Sequence, residues 1–413
     1  MDRRDFMKNV GLAGGMATAM GGGFTAEVAN AGQYDGGPTM NAARRAMRDL
    51  LAAIRDVEEK LITPERGFSP GELAEAERSL AHILYTGLDF WLEAKPYRPI
   101  FRPYVTPTRK LLGCNPDSVY FFAAIQDTKS YRISGNVGAA TFTSFTIEQG
   151  SEEGHAARGS SAAISDLEME ISGDGNYDII VSPTQPAQGN WLELKPGGSQ
   201  ITTRHYHEAR QNVAAIDGRV VPISIEVLDP DPLEPDGGDE EIAKHLNWVT
   251  HFVREHSAMT FQKTSPEMAK KLGWISLEPN RFPKPGQWAS AAGDNAYGNT
   301  HAWYSSGRYE LRPDEALVIT GRFPGCRFAN VVLWNSFMQS YDYVNRQVSL
   351  NRNQITYEDD GSFRLVIAHE NPGVPNWLDT EGRPDGTVYW RYVFPAEPPR
   401  RVKTAVVKTA SLV

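Results

Sequence analysis

Four groups of side chains in this sequence have the types and spacings that can do chemistry. His205 and His207 lie two apart in the extended run Gln200 to His207. Residues i and i+2 of a strand project from one face, so the two imidazoles can offer nitrogens to one metal ion, as in cupin-like barrels. Such a site needs a third or fourth ligand, and Glu148, His155, His301 and His369 are available only through the tertiary fold. The alternative is two partly exposed histidines on an edge strand. The second group is Asn115-Pro116-Asp117-Ser118-Val119-Tyr120. There Asp117 and Tyr120 form an acid/base pair if they wall a pocket, or belong to an Asx-type turn that leads into a strand. In the third, Asn190 with Trp191, and Asn376 with Trp377 and Asp379, set an aromatic plate beside hydrogen-bonding groups, which suits carbohydrates or terpenoid-like ligands. The fourth is Tyr341, Tyr343 and Arg346, just ahead of Ser349-Leu350-Asn351. An arginine among tyrosines fixes a carboxylate, sulfate or phosphate, or closes an ion pair with acidic neighbours.

The elements that must position these groups are repeated. Sliding the chain on itself by 186 residues places Ile133, Gly135 and Phe142 on Ile319, Gly321 and Phe328. The same shift places Asp174-Gly175-Asn176-Tyr177 on Asp360-Gly361-Ser362-Phe363, and Asn190-Trp191-Leu192 on Asn376-Trp377-Leu378. Landmarks in one register predict two related domains. Each contains short runs rich in β-branched and aromatic residues, such as Ser130 to Ser134, Ala140 to Ile147 and Asn176 to Ser182, bounded by Gly, Pro, Asn and Asp. The expectation is a mostly β protein with two tandem β-sandwiches of jelly-roll type, helical segments preceding each. Each Asp-Gly pair reads as a turn, since glycine takes the positive φ required. Helices are expected over Asn41 to Leu61, from an N-cap at Ser69 through Ala94, over Glu240 to His256, and after Ser265. Asp229 to Glu241 reads as a solvated acidic linker, because Leu233 breaks the alternating ligands of a calcium loop. The expected divisions are 1–31, 32–100, 101–228, 229–300 and 301–413.

Duplication sorts the candidates. Asn-Trp is kept in both halves and so reads first as structure, whereas Tyr341, Tyr343 and Arg346 have no counterpart and read as function. In the last strand of the second half, Val388, Trp390, Tyr392 and Phe394 make the core face, alternating with Tyr389, Arg391 and Val393. The constant shift puts Arg391 on His205. His205, Arg346, Tyr343, Asp117 and Tyr120 are therefore the catalytic candidates. Tyr341, Asn351, Trp377, Arg391 and Trp191 are the ligand contacts, and His205 with His207 the metal pair.

Ser349-Leu350-Asn351, Asp360-Gly361, the run Asn371-Pro372-Gly373-Val374-Pro375-Asn376-Trp377-Leu378-Asp379-Thr380, and Gly386 before Arg391 resemble the bacterial domain-of-unknown-function family numbered 1214, often found beside the related 1254 type. The resemblance covers roughly Tyr304 to Phe394 and extends more weakly over the first half. It implies a jelly-roll β-sandwich and no settled reaction. A Gly-His pair of the family pattern is replaced here by Gly382-Arg383, so no role for that histidine carries over.

The chain begins Asp2-Arg3-Arg4-Asp5-Phe6-Met7-Lys8, continues through a Gly/Ala/Met-rich apolar stretch to Phe24, and reaches Ala29-Asn30-Ala31. Basic head, apolar middle and small-x-small exit make a cleavable signal; paired arginines before Phe and Lys resemble the twin-arginine form, read by its translocase. Cleavage after Ala31 leaves the net charge of −9 unchanged. An acidic mature chain without basic clusters is a poor partner for nucleic acid or anionic membrane, and no later stretch is apolar enough to span. Cys114 and Cys326 are the only cysteines; two thiols without metal spacing read as free rather than paired. Nucleotide, flavin and haem motifs are absent, as are a hydrolase elbow and His-Glu-x-x-His, which leaves a single metal ion as the cofactor to look for. The function expected is an exported, periplasmic catabolic hydrolase or lyase acting on a small or oligomeric organic substrate. The alternatives are a binding protein for a glycan or hydrophobic ligand, and a homo-oligomeric structural protein.

Overall fold

A computed structural model describes residues 41–216, 221–232, 237–287 and 297–412; the expected signal lies outside them. Among the described residues no helix is long and apolar enough to cross a membrane.

The chain starts with two helices, α1 (Ala42–Leu61) and α2 (Pro70–Gly87), the latter running into a π-helical turn at Leu88–Leu92. Both start where their capping chemistry dictates. The Asn41 side chain accepts from the Arg44 N–H, and Ser69 exchanges hydrogen bonds with Glu72 in a complete capping box, satisfying amides that have no partner within the helix. The first repeat follows: β1 (Arg102–Pro103), β2 (Ser118–Ala124), β3 (Tyr131–Asn136), β4 (Phe142–Gln149), β5 (Gly159–Ser165), β6 (Asn176–Ser182), β7 (Asn190–Glu193), β8 (Gly198–Tyr206) and β9 (Ile223–Val227). Helices α3 (Asp239–Thr260) and α4 (Pro266–Leu272) then lead to β10 (Ile275–Ser276) and β11 (Gly286–Gln287). The second repeat holds β12 (Ala302–Glu310), β13 (Glu315–Gly321), β14 (Phe328–Trp334), β15 (Ser349–Asn351), β16 (Phe363–Ala368), β17 (Trp377–Asp379), β18 (Asp385–Val393) and β19 (Lys403–Lys408).

Each repeat is a sandwich of two sheets with the same strand order. The inner sheets run β2-β8-β4-β5 and β12-β18-β14-β15; the outer sheets run β7-β6-β3-β9 and β17-β16-β13-β19. Alternation along the strands fills each core from both sheets. Phe145, Ile147 and Ile201 meet Tyr131, Ile133 and Ile179 in the first; Leu333, Val388 and Trp390 meet Ile319, Leu365 and Ile367 in the second. Gly175 and Gly361 take φ of 84° and 78°, as the Asp-Gly turns require.

The repeated Asn-Trp pairs are built into the fold in the same way twice. Asn190 bonds Glu170 and Asp178 backbone groups while the Trp191 indole donates to the Ser182 carbonyl. Asn376 does the same with Thr356 and Arg364, and Trp377 with Ala368. Each partner is displaced by the same 186 residues. A sequence pair conserved through duplication here closes one loop onto its sheet.

The constant shift does not hold on every strand. Arg204 lies opposite Tyr120 and Ser144, while Arg391 lies opposite Tyr304 and Asn330. Arg391 is thus the partner of Arg204, not of His205, and His205 takes the core-facing position of Tyr392. One extra residue before β18 moves every side chain of that strand to the other face. The outer faces of the two inner sheets pack on one another through Phe142, Tyr206, Tyr304 and Phe328. The helices cover the rest of the first of these faces, with Phe90 stacked on Phe122 at 4.0 Å.

Candidate functional site

The polar side chains that the fold brings together lie at this junction of two sheets and the helical layer. Glu148, on β4, is fully buried, 0% exposed, and faces Arg204 on β8. Arg204 donates to the Thr146 hydroxyl and the Tyr297 carbonyl at 2.9 Å each, and its guanidinium comes within 3.9 Å of Glu148 Oε1. The Tyr297 N–H reaches Glu148 Oε2 at 3.3 Å, whereas Oε1 accepts no hydrogen bond. Burial disfavours the carboxylate more than Arg204 and the Tyr297 amide favour it, and pushes the Glu148 carboxyl up to about 7. Tyr297 holds a left-handed φ of 59°, which a side chain adopts only when its surroundings demand it. Its hydroxyl accepts from the Ala157 N–H and approaches His256 Nε2 at 3.4 Å.

On the second repeat, the Arg391 guanidinium lies beside the stacked rings of Trp334 and Tyr389, 5.1 and 4.7 Å from their centroids, which are 4.1 Å from each other. Its Nη2 donates to the Gly113 carbonyl at 2.6 Å, and its Nη1 has no partner. Gly113 has φ of 78°, and a Cβ there would meet Trp334 at 2.9 Å, so only glycine lets this backbone carry its carbonyl to the arginine. Tyr120, Tyr206 and Tyr304 complete the surroundings and raise the arginine's proton affinity against the lowering effect of burial.

Asp117 is a third buried polar centre. Its carboxylate, 0% exposed, accepts from the amides of Asn212, Asn330 and Asn351 at 2.8, 2.8 and 3.0 Å. Burial raises its carboxyl affinity for a proton, against the lowering effect of the three amides. Since Asn330 and Asn351 belong to the second repeat, this knot fastens one repeat to the other.

The remaining candidates from the sequence are dispersed. Asp117 sits in the knot while the Tyr120 ring packs edge-on to Tyr206, 6.2 Å away. His205 is 1% exposed in the first core, edge-on to Phe121 and Phe145, with Nε2 at 3.1 Å from the Thr203 hydroxyl and Nδ1 unpartnered. Desolvation, then His207, push it down to about 3. His207 is also buried; of the imagined further ligands, His155 pairs with Glu255, His301 stacks on Phe394 and His369 bonds Thr380. Among the described residues no three His, Cys, Asp or Glu side chains are grouped to hold a metal. Tyr341 and Tyr343 are buried in the second core region, Tyr341 bonded to the Tyr309 hydroxyl at 2.8 Å and Tyr343 beneath Lys110. Arg346 instead reaches outward to Asp379 at 2.7 Å and is 49% exposed, so this unrepeated trio does not converge. Cys114 and Cys326 are free thiols, Cys114 against Ser340.

Glu148, Arg204, Tyr304, Tyr389 and Trp334 were not singled out by sequence as a site. One signal was present: a lone glutamate and a lone arginine on the outward face of strands whose neighbours there are aromatic or hydroxyl-bearing.

No curated protein matches the sequence. Among solved structures, an uncharacterized protein from Burkholderia cenocepacia is similar at 26% identity and a TM-score of 0.75, over 90% of this chain and 98% of that one. A Vibrio parahaemolyticus protein matches 81% of this chain and 98% of that one at 12% identity, with a TM-score of 0.46. The model of a family described as proteins of unknown function, DUF1214, matches residues 123–210 and 330–397, one stretch in each sandwich.

Proposed function

We propose that the chain is exported by the twin-arginine route to the periplasm. Its mature part, from near Gly32, is then a hydrolase or lyase acting on a small organic substrate at the junction of its two sandwiches. The observation that carries the enzymatic reading is Glu148. A carboxyl group with a pKa near 7 is present at neutral pH in both protonation states, which is the condition for giving and taking a proton efficiently. Glu148 meets it through burial, with one oxygen uncommitted and Arg204 positioned to hold the ionised form. Strained backbone at Tyr297, directly above the carboxylate, supports a site rather than a simple core. The second reading, a binding protein for a glycan or hydrophobic ligand, draws on the half-buried rings of Trp191 and Trp377, whose indole N–H groups donate to backbone carbonyls. Relation to the 1254 type and assembly into a homo-oligomer belong to the same reading.

The test has two parts. Replacing Arg3 and Arg4 by lysine should leave the precursor uncleaved in the cytoplasm, while the wild-type periplasmic form begins at Gly32. For the chemistry, purified wild type and Glu148→Gln are incubated with a defined mixture of small esters, lactones and hydroxy acids, followed by mass spectrometry. Product from the wild type and none from the folded variant is expected. Compounds recovered unchanged from a wild type that demonstrably binds them would replace the enzyme by a binding protein.

A further inference from the structure

The helical layer meets the first sandwich along a seam that is not fully packed. A cavity of about 270 Å³ opens there, between the π-helical turn and the short edge strand β1. Its floor is apolar. Phe90, from the π-helical turn, and Phe122, on β2, stack at 4.0 Å and are almost wholly buried, while Ala94 and Ala124 beside them are too short to fill the remaining space. π-Helical turns recur at functional sites, and this one carries Phe90 onto the sheet and leads into Glu93 and Ala94 at the cavity wall. The second repeat provides a comparison. Tyr120 and Tyr304 are equivalent, each opposite the arginine of the next strand, so Ala124, four residues on, corresponds to Arg308. A long side chain, bonded to Asp385, therefore stands in the second repeat where the first has a methyl group.

The mouth is basic. Lys95, Arg98 and Arg102 line it, with Glu93 as the one acid among the lining residues. Behind them Asp89 is shared between Arg102 and Arg109, at 2.9 and 2.5 Å, so that one carboxylate answers two guanidiniums. Arg98 donates to the Asp231 carbonyl at 3.3 Å, whereas the Asp231 carboxylate goes to Lys129. This positive excess is local, because the whole chain carries −9. It is also held in place. The Arg98 N–H closes a turn on the Lys95 carbonyl at 2.7 Å, with proline second in the turn, and the buried Tyr131 hydroxyl donates to the Pro96 carbonyl at 2.9 Å. We infer that this cavity is a binding site for a small aliphatic monocarboxylate. Its chain lies on Phe90, Ala94, Phe122 and Ala124, and its carboxylate stays at the mouth with Lys95, Arg98 and Arg102. The class follows from the walls: a carboxylate matches the fork of an arginine, inorganic phosphate would leave the apolar floor uncovered, and a neutral hydrocarbon would leave the cations unused. The volume equals about nine water molecules at roughly 30 Å³ each, room for an acid of about eight carbons.

The site does not depend on proton transfer at Glu148, which lies in the same row as Ala124, two strands away across Gln200. Straight-chain acids from acetate to dodecanoate are titrated into the mature protein by calorimetry, with hexanamide as the uncharged control for hexanoate. Affinity should rise by up to about fourfold for each added methylene and level off near about eight carbons, where the cavity is full. Hexanamide should bind at least about tenfold more weakly than hexanoate, the loss expected for one charge-assisted contact. Replacing Lys95 and Arg98 together by methionine should remove the preference for hexanoate over hexanamide. Ala124→Leu should shorten the longest chain that still gains affinity, and Glu148→Gln should bind hexanoate as the wild type does. Three results overturn the site with the wild type alone: no saturable binding, equal affinity for hexanoate and hexanamide, or affinity that climbs steadily to dodecanoate, as adsorption to an open surface would. Loss of hexanoate binding in a folded Glu148→Gln variant would place the acid at Glu148 instead and overturn it too.

Discussion

Replacing Glu148 by Gln should make the protein more stable in alkali and leave it unchanged in acid. In the folded chain the Glu148 carboxyl sits at about 7 rather than 4.5. Since the folded state binds this proton more tightly than the unfolded state, the contribution to stability is complete below about pH 4.5 and is lost as pH rises through about 7. Each tenfold difference in proton affinity is worth ~1.36 kcal/mol, so holding Glu148 ionised in the fold costs about 3 kcal/mol. Glutamine keeps the shape and removes the titration. The measurement is guanidinium unfolding of wild type and variant at about pH 5 and about pH 8.5, taking the difference between the two proteins so that other titrating groups cancel. The variant should gain about 3 kcal/mol relative to wild type between those conditions. A difference that stays flat with pH would show that Glu148 titrates in the ordinary carboxylate range, and the reading of it as a neutral-pH proton carrier would fall with it. A stabilised but inactive variant is also what a functional site bearing an unfavourable buried charge predicts.

Further outcomes follow from the same geometry. His205 is held down to about 3 by its apolar surroundings, so its contribution to stability is present above pH 6.5 and is lost as pH falls toward 3; His205→Phe should flatten the acid limb of the stability profile, as read by denaturant midpoints. Asn190→Ala and Asn376→Ala each remove a side chain with three hydrogen bonds to backbone and should destabilise by a similar amount, about 2 to 3 kcal/mol, in denaturant unfolding. Unequal costs would mean that the two pairs do different work. Asp117→Ala leaves one N–H of each of three buried amides without its acceptor, each nitrogen keeping a second one, and should cost about 3 kcal/mol, with the two repeats unfolding in separate transitions by differential scanning calorimetry. Arg346→Ala takes the partner from a buried Asp379 oxygen and should cost about 1 to 2 kcal/mol of stability by denaturant unfolding while leaving turnover at the wild-type value, since a buried acceptor left unpaired is penalised.

Much of the fold is written in short-range chemistry. Ser69 and Glu72 cap α2 whatever surrounds them, Gly175 and Gly361 make turns because of their own φ, and Asn-Trp at a constant spacing marks the same loop closure twice. Strand alternation also assigns Trp390 and Tyr392 to the core and Tyr389 and Arg391 to the opposite face. Functional expectation fared differently. Tyr341, Tyr343 and Arg346 are close in sequence and unrepeated, yet two point into the protein and one into solvent. His205 lies on β8 and His207 just beyond its end, and the face His205 takes is the inner one, where its imidazole is kept neutral among phenylalanines.

A one-residue difference in strand register explains why the sister arginines escape an ungapped comparison. Sliding the chain by 186 residues aligns β4 with β14 and β6 with β16, and lets Arg391 fall on His205; only the hydrogen-bonded pairing places it on Arg204. The sequence by itself determined the two sandwiches, their turns and caps, and the apolar faces, because these depend on neighbours a few residues apart. Tertiary structure alone decided which polar side chains became chemistry. The displaced affinity of Glu148 and the unbalanced charge of Arg391 come from exclusion of water by helices and by a second repeat far away in the chain, and desolvation is a property of the packed interior that no local pattern records.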